Sequence, residues 1–403
     1  MTPKPAALAA ALGAALLLAA AGASGADTPG VTATTITLGG TVPISGPAAA
    51  FGVVGPGANA YFKYVNDHGG VFKRKIVYKY LDDGYDPAQT VQLTRQLIQQ
   101  ENVLAIFNSV GTEENLAIRP FLNQLKVPQL FTGTASNAAG DPRKYPYSLG
   151  YLPSFSAEGA IYARYIGKTQ KKARLGVLYE NSNYGQALVA GLKRTLPKGV
   201  VLSDVERYEV TDTDISSQVG KLRQSKADTF MVFATPKFAI LSYIAANKLG
   251  WHPRYYVSAV SIEPSIMAIA TASTSKQTTE GSISIAFVKD PTSPIWRKDK
   301  GMKLFKSIMK RYDPSGRATD GYNVYGMAVA YSMVDTLKHA GKNPTRDSVL
   351  RAAMHLNEKN PFLLPGIVVK TSPNDYLPLE KAKLLRYHKG LWVPFGRLVT
   401  ARG

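Results

Sequence analysis

Apolar positions along the chain follow two alternating rhythms, short runs of branched and aromatic residues and longer stretches spaced three and four apart. These predict strands and helices in turn. The clearest unit lies at 103–138. Val103–Phe107 is a short apolar run, Asn108–Thr112 breaks it with small polar residues, and a helical pattern opens at Glu113, with Leu116, Ile118, Phe121, Leu122 and Leu125 at roughly helical spacing. Val127–Phe131 is a second buried strand, so the unit reads as βαβ with a parallel pair. Its two loops, 108–112 and Thr132–Ser136, would emerge at the carboxyl edge of a sheet, where unpaired helix N–H groups and hydroxyls suit a small anion. The plainer reading is that Thr112, Thr134 and Ser136 are ordinary helix caps.

The alternation extends to both sides. Upstream, strand Ile36–Val42 leads through a small-residue loop to helix Ala58–Asn66, closed by Gly69-Gly70, then to strand Val77–Leu81 and a helix opened by Asp86-Pro87. Prolines and a glycine interrupt the pattern at 141–154, DPRKYPYSLGYLPS, which marks a crossover. The rhythm then restarts with helix Ala157–Ile166, strand Arg174–Tyr179, helix Tyr184–Leu196, strand Val200–Tyr208, helix Ile215–Gln224, strand Thr229–Ala234, helix Pro236–Leu249 and strand Tyr255–Ser258. Extended Ile283–Val288 meets the breaker cluster Asp290–Pro294, and helices around Met302–Arg311, Tyr322–Ala340 and Asp347–Met354 precede further extended segments. The expected fold is α/β, with doubly wound parallel sheets in two lobes; the architecture repeats although the sequence does not.

Length and composition sharpen this picture. A chain of 403 residues is longer than one core usually supports, roughly 250 to 300 residues, so two domains are expected. Lys4 precedes an Ala- and Leu-rich run, Ala6–Ala21, followed by small-residue cleavage sites at Ala21-Gly22-Ala23 or Ser24-Gly25-Ala26. Residues 1–26 therefore read as a secretory signal peptide rather than a retained membrane anchor. No later segment approaches ~20 uninterrupted apolar residues, so the exported chain is expected to be soluble. It has no cysteine, which excludes disulfides and a lipid anchor on an N-terminal cysteine; a free protein of the Gram-negative periplasm fits. The formal net charge of +20, from 48 Lys and Arg against 28 Asp and Glu, favours anionic solutes or surfaces. Nucleic acid is not an expected partner, because runs such as Lys168–Lys172 and Lys381–Lys383 are dispersed and accompany no reading motif. Each run alone reads as solvated surface.

The order of ITLGGTVPISGPAAAFG, NDHGGVFKRKI, YLDDGYDPAQTV, IFNSVGT, VPQLFTGTAS and YENSNYGQALVAGLK resembles the periplasmic substrate-binding proteins of ABC importers, of the branched-chain amino-acid-binding type. That resemblance spans nearly the whole chain after residue 26. It implies the type I periplasmic binding fold, two Rossmann-like lobes joined by three hinge crossovers, with lobe 1 at 33–148 plus 289–365 and lobe 2 at 149–288 plus 366–403. It also implies a solute carboxylate held on Gly111, Thr112, Thr134 and Ser136, an aromatic packing residue at Phe51, and a second-lobe aromatic at Tyr184. Its implied partners are a small carboxylate solute and an ABC-type membrane permease, acting with a monomer and without metal or cofactor. Amino-acid binders of this type carry an acid after the strand read here as Tyr255–Ser258, where it receives the α-ammonium group. This chain has Ala259, Val260, Ser261 and Ile262 there, and Glu263 is expected at a helix start facing solvent. A buried ammonium without a partner is costly, so an aromatic or aliphatic organic acid is favoured over a branched-chain amino acid.

Other chemistries fit less well. The histidines, His68, His252, His339, His355 and His388, are scattered, and neither a cysteine nucleophile nor a G-x-S-x-G elbow occurs. Asp82-Asp83 and Asp212/Asp214 read as turn residues. Gly55-Pro-Gly57-Ala-Asn-Ala60 satisfies G-x-G-x-x-A but lies too far behind its strand for a dinucleotide turn. A module serving a sensor, or a periplasmic enzyme, remains as the alternative reading.

Overall fold

The computed structural model describes residues 28–136 and 141–401; the expected signal peptide, 1–26, lies outside them. In chain order come β1 (Thr35–Val42), α1 (Val54–Asp67), β2 (Lys75–Asp82), α2 (Pro87–Gln99), β3 (Ala105–Phe107), α3 (Thr112–Gln124), β4 (Gln129–Thr132) and β5 (Ser148–Gly150). The five strands form one parallel sheet in the order β2-β1-β3-β4-β5. The Asp86-Pro87 signal acts as read, since the Asp86 carboxylate accepts from the N–H groups of Ala88 and Gln89 and opens α2. Helix α1 starts at Val54, before the expected Ala58. β5 was not anticipated: its three residues follow a proline-rich stretch and are extended only because Ser148 pairs with Gln129.

A second series follows: α4 (Phe155–Thr169), β6 (Arg174–Glu180), α5 (Asn183–Arg194), β7 (Val201–Tyr208), α6 (Ser216–Gln224), β8 (Thr229–Phe233), α7 (Pro236–Lys248), β9 (Arg254–Val257), α8 (Pro264–Ala272), α9 (Lys276–Thr279) and β10 (Ile283–Ala286). Then come α10 (Lys300–Tyr312), α11 (Gly321–His339), α12 (Arg346–Ala353), the short pair β11 (Asn357–Glu358) and β12 (Val369–Lys370), and the hairpin β13 (Lys381–His388) and β14 (Leu391–Thr400). The second sheet has seven strands in the order β14-β13-β10-β9-β8-β6-β7. β6 to β10 run parallel, and β13 and β14 close one edge in antiparallel pairing.

The α/β expectation holds, with the antiparallel hairpin as the departure. The chain passes three times between the two sheet systems: from β5 to α4, from β10 to α10, which packs with α11 against α1, and from β12 to β13. Backbone hydrogen bonds tie these passages together, from Gly150 N–H to Tyr376 C=O at 3.1 Å, from Leu364 N–H to Phe287 C=O at 2.8 Å and from Lys289 N–H to Phe362 C=O at 3.0 Å. Helices α1 and α11 meet closely enough to require glycine. A Cβ at Gly326 would lie 2.3 Å from the Val54 carbonyl oxygen, and one at Gly57 2.8 Å from the Asn323 Cα. That contact accounts for the glycine-rich opening of α1 as packing rather than phosphate binding. It also fixes the position of the loop that precedes α1. Among the described residues no helix is long and apolar enough to cross a membrane.

Candidate functional site

In the first sheet the strand order reverses between β1 and β3, so their outgoing loops diverge and leave a crevice at the carboxyl edge. The β1 loop ends in a single 3₁₀ turn, Ala49–Val53, which buries Phe51 edge-to-face against Tyr322 of α11 at 5.1 Å. The β3 loop is more constrained. Gly111 adopts φ 110° and ψ 146° as the N-cap of α3, and a Cβ there would fall 2.0 Å from Glu114 Oε2 and 2.9 Å from the Tyr85 ring. Only glycine fits such a position. Asn115 braces the loop from below, its amide donating to the carbonyls of Ser109 and Gly111 at 2.7 and 2.6 Å, while Gln129 donates to Asn115 Oδ1 at 2.9 Å.

Thr112 is the first residue of α3, not its cap, and its hydroxyl lies 2.7 Å from that of Thr134. The two strand-to-helix loops are therefore joined side chain to side chain, and also by the parallel bridge between Val110 and Gly133. Thr134 in turn accepts from the Ser136 N–H at 3.4 Å.

From the second sheet, the Ser182 hydroxyl caps α5 by accepting from the Gly185 N–H, which sets Tyr184 in the first turn. Tyr184 is buried against Phe155 at 4.9 Å and donates to the Ala234 carbonyl at 3.3 Å. Three contacts join the two sides across the gap. Glu113 of α3 accepts from the Asn183 N–H at 2.6 Å, Tyr322 donates to the Val260 carbonyl at 2.8 Å, and the Phe155 N–H donates to the Ala135 carbonyl at 3.2 Å.

Between these edges lies a cavity with about 1400 Å³ of empty space, part of it open to solvent. Phe51, Gly111, Thr112 and Tyr184 stand on its wall. Thr134 and Ser136 are buried behind Thr112 and Gly133, so their part in any contact runs through Thr112 or the loop backbone. The wall is mainly apolar and aromatic, with Tyr85, Phe155, Phe287, Tyr322, Val260 and Ile262 contributing.

Two glutamates on this wall were not expected there. Glu263 was read as facing solvent; instead it is 5% exposed, caps α8 by accepting from the Ser265 N–H at 2.7 Å, and faces the cavity. Pro264 takes the first helical position, so Glu263 becomes the N-cap and turns its carboxyl to the helix's own N–H groups instead of to solvent. Glu158, in the first turn of α4, is also buried on the wall, with Oε1 accepting from the Tyr162 hydroxyl and the Ala259 N–H, both at 2.8 Å. Burial pushes Glu158 up to about 7 and raises Glu263 as well, with nearby Asp320 adding to the latter. Near neutrality Glu158 can therefore accept or donate a proton in a hydrogen bond. A polar residue in a helix otherwise apolar through Phe155, Ala157, Gly159 and Ala160 was the available signal.

Lys289, also on the wall, is paired with Asp299 at 2.8 Å and donates to the Pro361 carbonyl at 2.7 Å. All five histidines are exposed, and Asp82, Asp83, Asp212 and Asp214 accept turn hydrogen bonds. Among the described residues no group of three His, Cys, Asp or Glu could hold a metal ion.

Comparison with known proteins agrees with this architecture. The chain is similar to Leu/Ile/Val-binding protein homolog 3 of Brucella melitensis biotype 1, at 28% identity over 196 residues. That match spans 48% of this chain and about half, 52%, of the relative's length. The fold is similar to that of a fatty acid ABC transporter substrate-binding protein from Thermomonospora curvata, with TM-score 0.78, 21% identity, and coverage of 92% of this chain and 94% of that one. It is likewise similar to a branched chain amino acid ABC transporter protein from Thermus thermophilus with bound valine, with TM-score 0.77, 19% identity, and coverage of 91% and 96%. At these identities the solved structures speak for the fold alone. The family profile described as periplasmic binding protein matches residues 35–375, the span that carries both sheets up to the final hairpin and every wall residue except those on that hairpin; the chain belongs to the periplasmic binding protein family.

Proposed function

We propose that this protein is an extracytoplasmic receptor that captures a small carboxylate-bearing solute between its lobes and hands it to an ABC-type membrane permease, with no bond made or broken. The lobes in this reading are 33–148 plus 289–365 and 149–288 plus 366–403, and residues 1–26 direct export. The observation that carries the reading is the pairing of one donor edge, Gly111 with the Thr112 hydroxyl, with a long apolar and aromatic wall. A carboxylate takes the donors and a hydrocarbon body takes the wall, which favours an aromatic or aliphatic acid. Closure then follows from differential affinity, since Tyr184 and Phe155 reach the solute only when the lobes meet.

Glu158 and Glu263 support a second reading, a branched-chain amino acid whose ammonium group meets Glu158. Calorimetric titration of the protein with benzoate, a medium-chain fatty acid and leucine decides between them. Binding of either acid that survives Glu158→Gln supports the first reading. Leucine binding that is lost in the same variant supports the second, and silence towards all three overturns both.

A further inference from the structure

Several basic runs that look unremarkable along the sequence meet at one place in the fold. Parallel strands begin at the same edge, and the helices between them end there. At the amino-terminal edge of the second sheet, α4 ends near Lys168 and continues into Lys171 and Lys172; α5 ends in Lys193 and Arg194, followed by Lys198; α6 carries Arg223, with Lys226 just beyond. Arg174 and Arg254 open β6 and β9 beside them. The convergence is visible in contacts: the Arg174 guanidinium donates to the carbonyls of Ser225 and Lys226, and Arg254 donates to Gln170 Oε1. The Val201 N–H donates to the Ala173 carbonyl.

Four segments make up this edge: 163–174, 191–200, 221–228 and 247–254. Together they hold thirteen Lys and Arg against a single acid, Asp228, which is twelve of the chain's formal net charge of +20. All thirteen are exposed. Among the described residues only Lys221 of these stands in an ion pair, with Glu206 at 3.2 Å. Helix dipoles account for a cation or two in each last turn, but not for the cations that continue past the helix ends. Like charges gathered at one edge of a sheet sum to a field that draws in an anionic surface, and salt screens it. The opposite, cavity-lined edge of the second sheet carries Glu158, Glu180 and Glu263. The second lobe is thus charge-polarised along its strands.

We propose that this basic edge docks on an anionic lipid bilayer. The patch contains no aromatic ladder on which bases could stack, and Val201, 47% exposed at the start of β7 beside it, suits shallow contact with the headgroup layer. Attraction of this kind is worth about 1 kcal/mol for each basic side chain near an anionic surface.

The test is cosedimentation of the chain from Asp27 onward, which contains every element described above, with phosphatidylcholine vesicles and with vesicles holding about a third phosphatidylglycerol. The expected result is binding to the anionic vesicles alone, released near ~1 M salt. A Lys171→Glu, Lys172→Glu, Arg194→Glu, Lys198→Glu variant should lose at least about tenfold in partitioning. A control on α10 and its approach, Lys298→Glu, Lys300→Glu, Lys303→Glu and Lys306→Glu, should stay within about twofold while removing the same formal charge. Melting curves verify that both variants fold. No binding to anionic vesicles, an equal loss in the control, or retention on immobilised heparin without vesicle binding each overturns the proposal.

Discussion

Glu113 accepts hydrogen bonds from Asn183 through both its backbone N–H, at 2.6 Å, and its side-chain amide, at 3.0 Å. A carboxylate rooted in the first turn of α3 therefore serves the first turn of α5, a helix of the other sheet, and its charge faces the positive end of that helix's dipole. The bond exists only where the two sides meet, so it bears on their contact and not on the fold of either side.

Replacing Glu113 with Ala should weaken closure by about 1 kcal/mol, the usual worth of a helix cap. Affinity for whichever solute binds in titration should fall roughly three- to tenfold, mainly through faster release. Stopped-flow dissociation together with an unchanged melting temperature checks this. A large drop in melting temperature would instead assign Glu113 to the fold.

Gly111→Ala tests the tightest point of the site. A Cβ there meets the Glu114 carboxyl and the Tyr85 ring at a φ of 110°, so the loop must rebuild. The expected cost is about 2 kcal/mol or more of stability, with solute binding abolished. Urea unfolding measures the first and titration the second.

Thr112→Val keeps the shape and removes the hydroxyl that pairs with Thr134. If the solute carboxylate sits on this edge, affinity for it should drop by about tenfold or more, as for a hydrogen bond to a charged group. Thr112→Ser should recover most of the loss. Equal binding in all three proteins would move the anion site elsewhere on the wall.

Glu158 links stability to pH. Its folded value, pushed up to about 7 by burial, exceeds the ordinary 4.5, so the folded state holds its proton more tightly than the unfolded chain does. The resulting stabilisation is fully present below about pH 4.5 and is lost as pH rises through about 7, a change on the order of 3 kcal/mol. Denaturant unfolding across that window should show the decline, and Glu158→Gln should flatten it. A residual slope should persist from Glu358, also raised to about 7 by burial beside Ser332 and Asn360.

Local chemistry in the chain revealed elements more readily than environments. Asp86-Pro87, Thr235-Pro236 and the apolar runs of β6 and β8 announce themselves because their causes are contained within a few residues. β5 does not, since three residues become a strand only by pairing with Gln129 and Thr132, far upstream. Thr112 could be placed at a sheet edge because strand-to-helix loops collect there, whereas Gly111, Phe51 and Tyr184 were reached only through the family resemblance. Glu158 and Glu263 could not, because an acid at a helix start normally serves the dipole in water. Their burial is created by the other side of the cavity. The basic edge escaped for the same reason, being assembled from four separated segments.

The hairpin of β13 and β14 has a consequence for biogenesis. It covers one side of β10, and residues 381–400 supply it. Until they leave the ribosome, the nascent protein carries an open, hydrogen-bond-hungry strand border, and vectorial synthesis alone cannot finish the second half. Completion of that border therefore waits on residues 381–400.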